Sequence, residues 1–296
     1  MKYKILAIFI SILFLVSIGA SANTFSESNF NKQTSTMDDN TPTWSLGNIW
    51  TYDINTIEFQ LNESGQTIEL SLAVNDLELK VSSETQTAYV LDLKGKISGS
   101  FAYDDGAGMT LGGSLYFTKF SGILNVGKDN LTAHREYVVI NSIALLTEHP
   151  IPIPLPLPIP LKITIEVDHP TPRPLLVFPL FDGKIVLVEG VHITANIKVE
   201  SIVLRILNLI NPEIPAEIVL DQGLYLPQLL YDVAPEEVTV TAGIYDAYNL
   251  AFFEGLLGSL YYAPVAGNLI KAQAELDVPD SFYLNFDGEL KSTNYS

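Results

Sequence analysis

The chain reads as an all-β protein, mainly antiparallel. Three observations predict this. Apolar residues recur with period two along most of the sequence, turn-forming residues punctuate those runs, and one stretch alone carries good helical spacing. A strand with one apolar and one polar face belongs in an antiparallel sheet covered on a single side.

The first element is a targeting segment. Lys2 and Lys4 precede an apolar run from Ile5 to Ile18 and the small residues Gly19-Ala20-Ser21-Ala22. That layout is a secretory signal peptide over residues 1–22, which sends the protein to the cell envelope, the cell surface or the medium. An uncleaved amino-terminal membrane anchor is the alternative, and membrane contact is then confined to this segment. The 296 residues include no Cys, so a disulfide and a lipidated amino-terminal cysteine are both excluded. An exported domain without disulfides is held by its core, which suits a prokaryotic envelope. Residues 23–43 are rich in Ser, Thr, Asn and Asp and read as a flexible spacer.

Residues 44–148 form the first β region. Trp44 and Trp50 flank Gly47, a pairing suited to capping one end of a β core. Ile68, Leu70, Leu72 and Val74 alternate with polar residues, and the phase shifts at Asn75-Asp76, where a tight turn is expected. Tyr89, Leu91 and Leu93 make another run, while Ile97, Phe101 and Tyr103 face Leu111, Leu115 and Phe117 across the loop Asp104 to Gly108.

Residues 149–179 are the oddest segment. From Pro150 to Pro160 every even position is proline, and every odd position is Ile or Leu. In an extended chain all the missing N–H donors then fall on one edge, giving either an edge strand that cannot be extended or a polyproline II bridge. Residues 180–296 are a second β region. Within it, Val203, Ile206, Leu207 and Ile210 share one helical stripe over 201–210. Ile218 to Tyr231, broken by Gly223 and Pro227, is expected as short helices or loops over the sheet's apolar face. Val203, Ile206, Leu207, Ile210, Leu224 and Leu229 are therefore the candidate lid of a ligand cavity.

Composition narrows the function. With 34 Asp plus Glu against 16 Lys plus Arg the formal charge is −18, which repels phosphate backbones and argues against nucleic acid as a partner. There is no Gly-x-Ser-x-Gly elbow, no His-Glu-x-x-His and no phosphate-binding glycine pattern. His134, His149, His169 and His192 are scattered and read as surface or loop residues. Asp104-Asp105-Gly106 lacks the alternating acids of a calcium loop and reads as a hairpin tip. No catalytic, metal or cofactor site is expected. Asn62, Asn130 and Asn294 head Asn-x-Ser/Thr sequons.

Val238-Thr239-Val240-Thr241-Ala242-Gly243-Ile244-Tyr245-Asp246-Ala247-Tyr248, followed by Tyr261-Tyr262-Ala263-Pro264-Val265-Ala266-Gly267-Asn268-Leu269-Ile270-Lys271, resembles the closing strands of a group of exported prokaryotic proteins similar to the lipoprotein-carrier half-barrels. The resemblance covers the carboxy-terminal fifth and its motifs are structural. Thr241 stands where proline is common in that pattern. It implies a strongly curved sheet or half-barrel with one or two short covering helices, and a lipid or other hydrophobic molecule carried between sheet and lid. Gly95, Gly99, Gly112 and Gly113 would let strands bend as that requires. Two other readings stand beside the carrier: a structural or adhesive surface protein with a solid core, and an envelope hydrolase, which needs two carboxylates, or a His and a carboxylate, converging in a cleft.

Overall fold

The computed structural model describes residues 41–63, 66–104, 106, 110–128, 131–148, 156–171, 173–210, 216–226, 228–254, 257–278 and 282–295. The signal segment and most of the spacer therefore lie outside the described residues, as do residues 149–155 of the proline run.

The strands are β1 (Ile49–Glu63), β2 (Gln66–Glu84), β3 (Ala88–Asp104), β4 (Thr110–Gly127), β5 (Ala133–Glu148), β6 (Leu157–Asp168), β7 (Lys184–Val188), β8 (Val191–Ser201), β9 (Glu217–Leu226), β10 (Leu229–Val240), β11 (Gly243–Glu254), β12 (Leu257–Ala263), β13 (Asn268–Val278) and β14 (Phe282–Thr293). Among the described residues one α-helix, α1 (Ile202–Ile210), leads from β8 towards β9, and a 3-10 turn, Pro264–Ala266, joins β12 to β13. All pairings are antiparallel, in one sheet ordered β7-β10-β11-β12-β13-β14-β1-β2-β3-β4-β5-β6-β8-β9. The all-β, antiparallel class is as the period-two pattern dictates.

The two outermost strands of that order are parts of one ribbon. Lys184↔Val233 to Val188↔Leu229 pairs β7 with β10, and Val191↔Leu226 to Glu200↔Glu217 pairs β8 with β9. From Val188 to Val191 on one side and from Leu226 to Leu229 on the other the chain advances equally, so a single register runs through both ladders. At one end of the ribbon β10 pairs with β11; at the other β8 pairs with β6. The sheet thereby closes on itself as a barrel, carrying the expected curvature past a half-barrel.

Inward residues of all regions merge into one core. Its aromatic end is fastened across the chain. Trp44 Nε1 donates to Gly267 O (2.8 Å) and Trp50 Nε1 to Ala266 O (2.7 Å), so both indoles satisfy carbonyls at the 3-10 turn. Tyr52 donates its hydroxyl proton to Leu269 O (2.9 Å). The two motifs that carry the carrier resemblance are turns flanked by strands: Thr241-Ala242 separates β10 from β11, and the 3-10 turn with Gly267 (φ 62°) separates β12 from β13.

Two expectations are corrected. Asn75-Asp76 is a bulge within a continuous β2, not a turn between strands. Asp76 takes φ 53°, its N–H donates to Asp53 Oδ1 (3.0 Å), and Lys96 and Lys291 pair with its carboxylate, which hold the extra residue in place. Ile218 to Tyr231 is not helix or loop: residues 218–226 lie in β9 and 229–231 in β10, because every residue there is needed to continue the ribbon. Leu224 and Leu229 are therefore strand residues, and Leu229 is buried in the core.

The proline segment is strand where it is described. Pro158 and Pro160 pair with Leu145 and Ile143 of β5, with the prolines exposed. On the other edge β8 pairs with β6 only up to Leu161↔Ser201. Proline supplies no donor to that edge, so the ladder ends where the prolines begin and the chain leaves as α1.

Gly99 marks where β3 bends. Its φ is +146°, and a Cβ there would meet Ser71 O at 2.0 Å. Gly99→Ala is expected to lower stability by about 3 kcal/mol in urea unfolding, whereas Gly112→Ala, whose Cβ would stand 3.5 Å from Glu148 Cβ, should change it by less than about 0.5 kcal/mol.

Candidate functional site

The barrel is sealed unequally. At the aromatic end the connection from β6 to β7, residues 169–183, folds inward as a strap. Leu175, Leu176, Val177 and Leu180 are buried in the core. Tyr231 donates to Leu175 O (2.7 Å), Gly183 N to Val233 O (2.9 Å), and the Phe178 ring meets Tyr262 edge-on at 5.2 Å. Burial raises the Tyr231 hydroxyl well above the usual tyrosine range, so it stays a donor.

Polar groups fix both roots of this strap. His169 Nε2 and Glu136 Oε1 are 2.9 Å apart, both side chains nearly inaccessible, and His169 N donates to His134 O. Arg173 is buried as well. Glu136 reaches this position because it lies on the inward face of β5, in phase with Val138, Ile140, Ser142 and Ala144. The surface or loop reading of His169 is thus corrected to a buried anchor: the residue before Pro170 is a loop residue in sequence, but the loop turns into the barrel. A carboxylate at an inward strand position was the available signal. His134 and His192 are exposed, and His149 lies outside the described residues.

At the other root Lys184 Nζ donates to Val177 O and to Pro179 O, the latter at 2.8 Å, and stands 5.5 Å from the Phe181 ring centroid. Burial pulls its pKa down to about 8.

The far end is different. Along three strands the inward side chains pass from fully buried to half-buried: Ile97 to Phe101 and Tyr103 on β3, Phe120 to Leu115 on β4, and Ile163 to Leu161 and Ile159 on β6. The half-buried residues line an apolar mouth. At its rim, beside β6, stands α1.

The candidate lid residues are divided by the fold. Ile206 is on α1 and 50% exposed, with Ile202 and Leu209 (60% and 83%) on the same face. Val203, Leu207 and Ile210 lie on the helix, their side chains outside the described residues. Leu224 is in β9, and Leu229 packs in the core away from α1. Sequence reasoning missed the mouth residues Phe101, Tyr103 and Leu115 as a site, because period two marks them as inward without telling where inward ceases to be covered.

Among the sequons, Asn62 accepts from Thr67 Oγ1 (3.0 Å). Asn294 accepts from Ile49 N (2.6 Å) and donates to Gly47 O (3.1 Å), tying the last strand to the first. Asn130 is outside the described residues. The Asp104 tip is an Asx turn, with Gly106 N donating to Asp104 Oδ1 (2.7 Å). Among the described residues no group of three or more His, Cys, Asp or Glu is placed to hold a metal ion, and no helix is long and apolar enough to cross a membrane.

Comparison with family models, curated proteins and solved structures finds no match to this chain. Fold and site geometry define a class all the same: a closed antiparallel barrel, plugged at one end by its own chain and apolar at the other.

Two outcomes test the strap. Glu136→Ala is expected to cost about 3 kcal/mol, since one member of a buried pair is left without the other, and limited proteolysis should then cut within residues 169–183. Lys184 titrates lower in the folded chain than the roughly 10.4 of an unfolded lysine, so between these values the unfolded chain binds more protons and this group's contribution to stability rises with pH. Urea unfolding at pH 7.5 and 9.5 should show that rise in the wild type relative to Lys184→Met.

Proposed function

We propose that this is an exported, non-catalytic protein that binds a lipid or other hydrophobic molecule in the mouth of its curved β-sheet. The supporting observation is the burial gradient on β3, β4 and β6: inward aromatic and aliphatic side chains are packed at one end and half-buried at the other. Sites for small hydrophobic molecules are concave and mainly apolar. A solid-core protein would gain by covering those residues, since each buried Leu or Phe side chain contributes about 1.5–3 kcal/mol. The apolar face of α1 at the rim and the likeness of the carboxy-terminal motifs to lipoprotein carriers support the same reading. In it, α1 is the lid and the signal segment accounts for export.

One observation favours the structural or adhesive alternative. On the outer surface Ile185 and Leu187 of β7, Phe253 of β11 and Leu257 of β12 are all exposed, and Leu187 pairs with Leu230. Such a patch suits contact with another protein surface.

Native mass spectrometry of the protein purified from an envelope fraction, with solvent extraction of what co-purifies, separates the two. A stoichiometric apolar species is expected. A clean apo mass that persists after incubation with membrane lipids would overturn the carrier reading.

A further inference from the structure

The floor of the mouth is polar, and its polarity is of one kind. Thr118 of β4, Ser142 of β5 and Ser201 of β8 are 3%, 7% and 4% exposed, and each is an inward position on an otherwise apolar face. They form a row. Thr118 Oγ1 and Ser142 Oγ are 2.5 Å apart, and either can be the donor. Ser142 pairs directly with Leu161 of β6, and Leu161 with Ser201. The two serines therefore flank Leu161, roughly 10 Å apart at ordinary strand spacing.

The row also has a backbone device behind it. Between Tyr116↔Ile143 and Lys119↔Asn141, residues 117 and 118 of β4 oppose Ser142 alone. A bulge of this kind re-aims a side chain, and bulges concentrate next to sites. Here it brings Thr118 onto Ser142. Above the row the lining is half-buried Leu115, Phe101 and Ile159 together with the buried Ala144 and Leu146 of β5; below it are the buried Ile97, Phe120, Ile140 and Ile163 and the half-buried Val199. On β4 and β6 the row thus stands where packed core passes into half-buried lining.

Charge is absent from this floor. Among the described residues of β4, β5, β6 and β8 the one inward charged side chain is Glu136. It is six residues from Ser142 along β5, roughly 20 Å at strand rise, and is occupied by His169. A carboxylate or phosphate drawn down to the row would lose its hydration with no cation to compensate, at a cost of several kcal/mol. An uncharged oxygen would meet hydroxyls that can both donate and accept.

Resting on the carrier reading above, we infer that the ligand is an uncharged amphiphile, an apolar chain ending in hydroxyl or ester oxygens as in a monoacylglycerol, with those oxygens held by Thr118, Ser142 and Ser201. Its chain lies against Phe101, Tyr103 and Leu115. The two sides of Leu161 suit a polar group carrying more than one oxygen.

Displacement of a neutral fluorescent probe, N-phenyl-1-naphthylamine, from the full chain tests this with three ligands of equal chain length: monotetradecanoylglycerol, tetradecanoate and tetradecane. The wild type is expected to bind the acylglycerol at least about tenfold more tightly than either competitor, the equivalent of one or two net hydrogen bonds. Thr118→Val with Ser142→Ala should remove that preference and leave tetradecane unchanged, while Thr118→Ser should retain it. Equal binding of acylglycerol and alkane by the wild type, or tighter binding of tetradecanoate, overturns the inference while leaving a hydrophobic site in place. Failure of the probe and of all three ligands to bind overturns the carrier reading itself. The wild-type ligand series decides the matter even if the double variant does not fold.

Discussion

A single strand register holds this molecule closed. The ribbon made by β7 and β8 against β9 and β10 keeps one alignment along its whole length, and its two ends join β11 and β6. A slip of one residue would turn every inward side chain of the ribbon outward, so the apolar alternation of Val186, Val188, Ile193, Ala195 and Ile197 against Leu229, Tyr231 and Val233 enforces the closure it makes possible. Closure in turn leaves only the outer edges of β7 and β9 without a ladder partner among the described strands. The proline edge of β6 limits how far the ribbon can zip.

Closure alone would make a symmetric container. Polarity comes from the segments that enter it. The two tryptophans, just ahead of and at the start of β1, satisfy carbonyls at the 3-10 turn between β12 and β13, over sequence separations of 223 and 216 residues. The strap of residues 169–183 then packs Leu175, Leu176, Val177 and Leu180 into the same core. Burying a strap demands partners for its polar groups, and Tyr231, Lys184 and the Glu136–His169 pair supply them. No comparable segment among the described residues enters the far end.

Much of the framework was legible from local pattern. The period-two runs located the strands, the loop at Asp104 to Gly108 was recognised as a hairpin tip, and the helical stripe over 201–210 matches α1. What misled was local as well. The phase change at Asn75-Asp76 has the chemistry of a turn, but Asp53 and two lysines absorb it as a bulge. Gly223 and Pro227 suggested that the segment to Tyr231 was broken into short pieces, yet the long register of the ribbon overrides that signal. His169 reads as a loop residue until the loop is seen to turn inward.

The sequence by itself therefore determined the class of structure, the sign of the surface charge, the absence of disulfides and the faces of the strands, because each depends on composition or on neighbours one to four positions apart. Tertiary structure decided the rest. Whether the sheet closes, which end is plugged, and where Thr118 meets Ser142 all depend on pairings between residues distant in the chain, and nothing in local periodicity encodes how far apart two inward-facing residues will be once the barrel has formed.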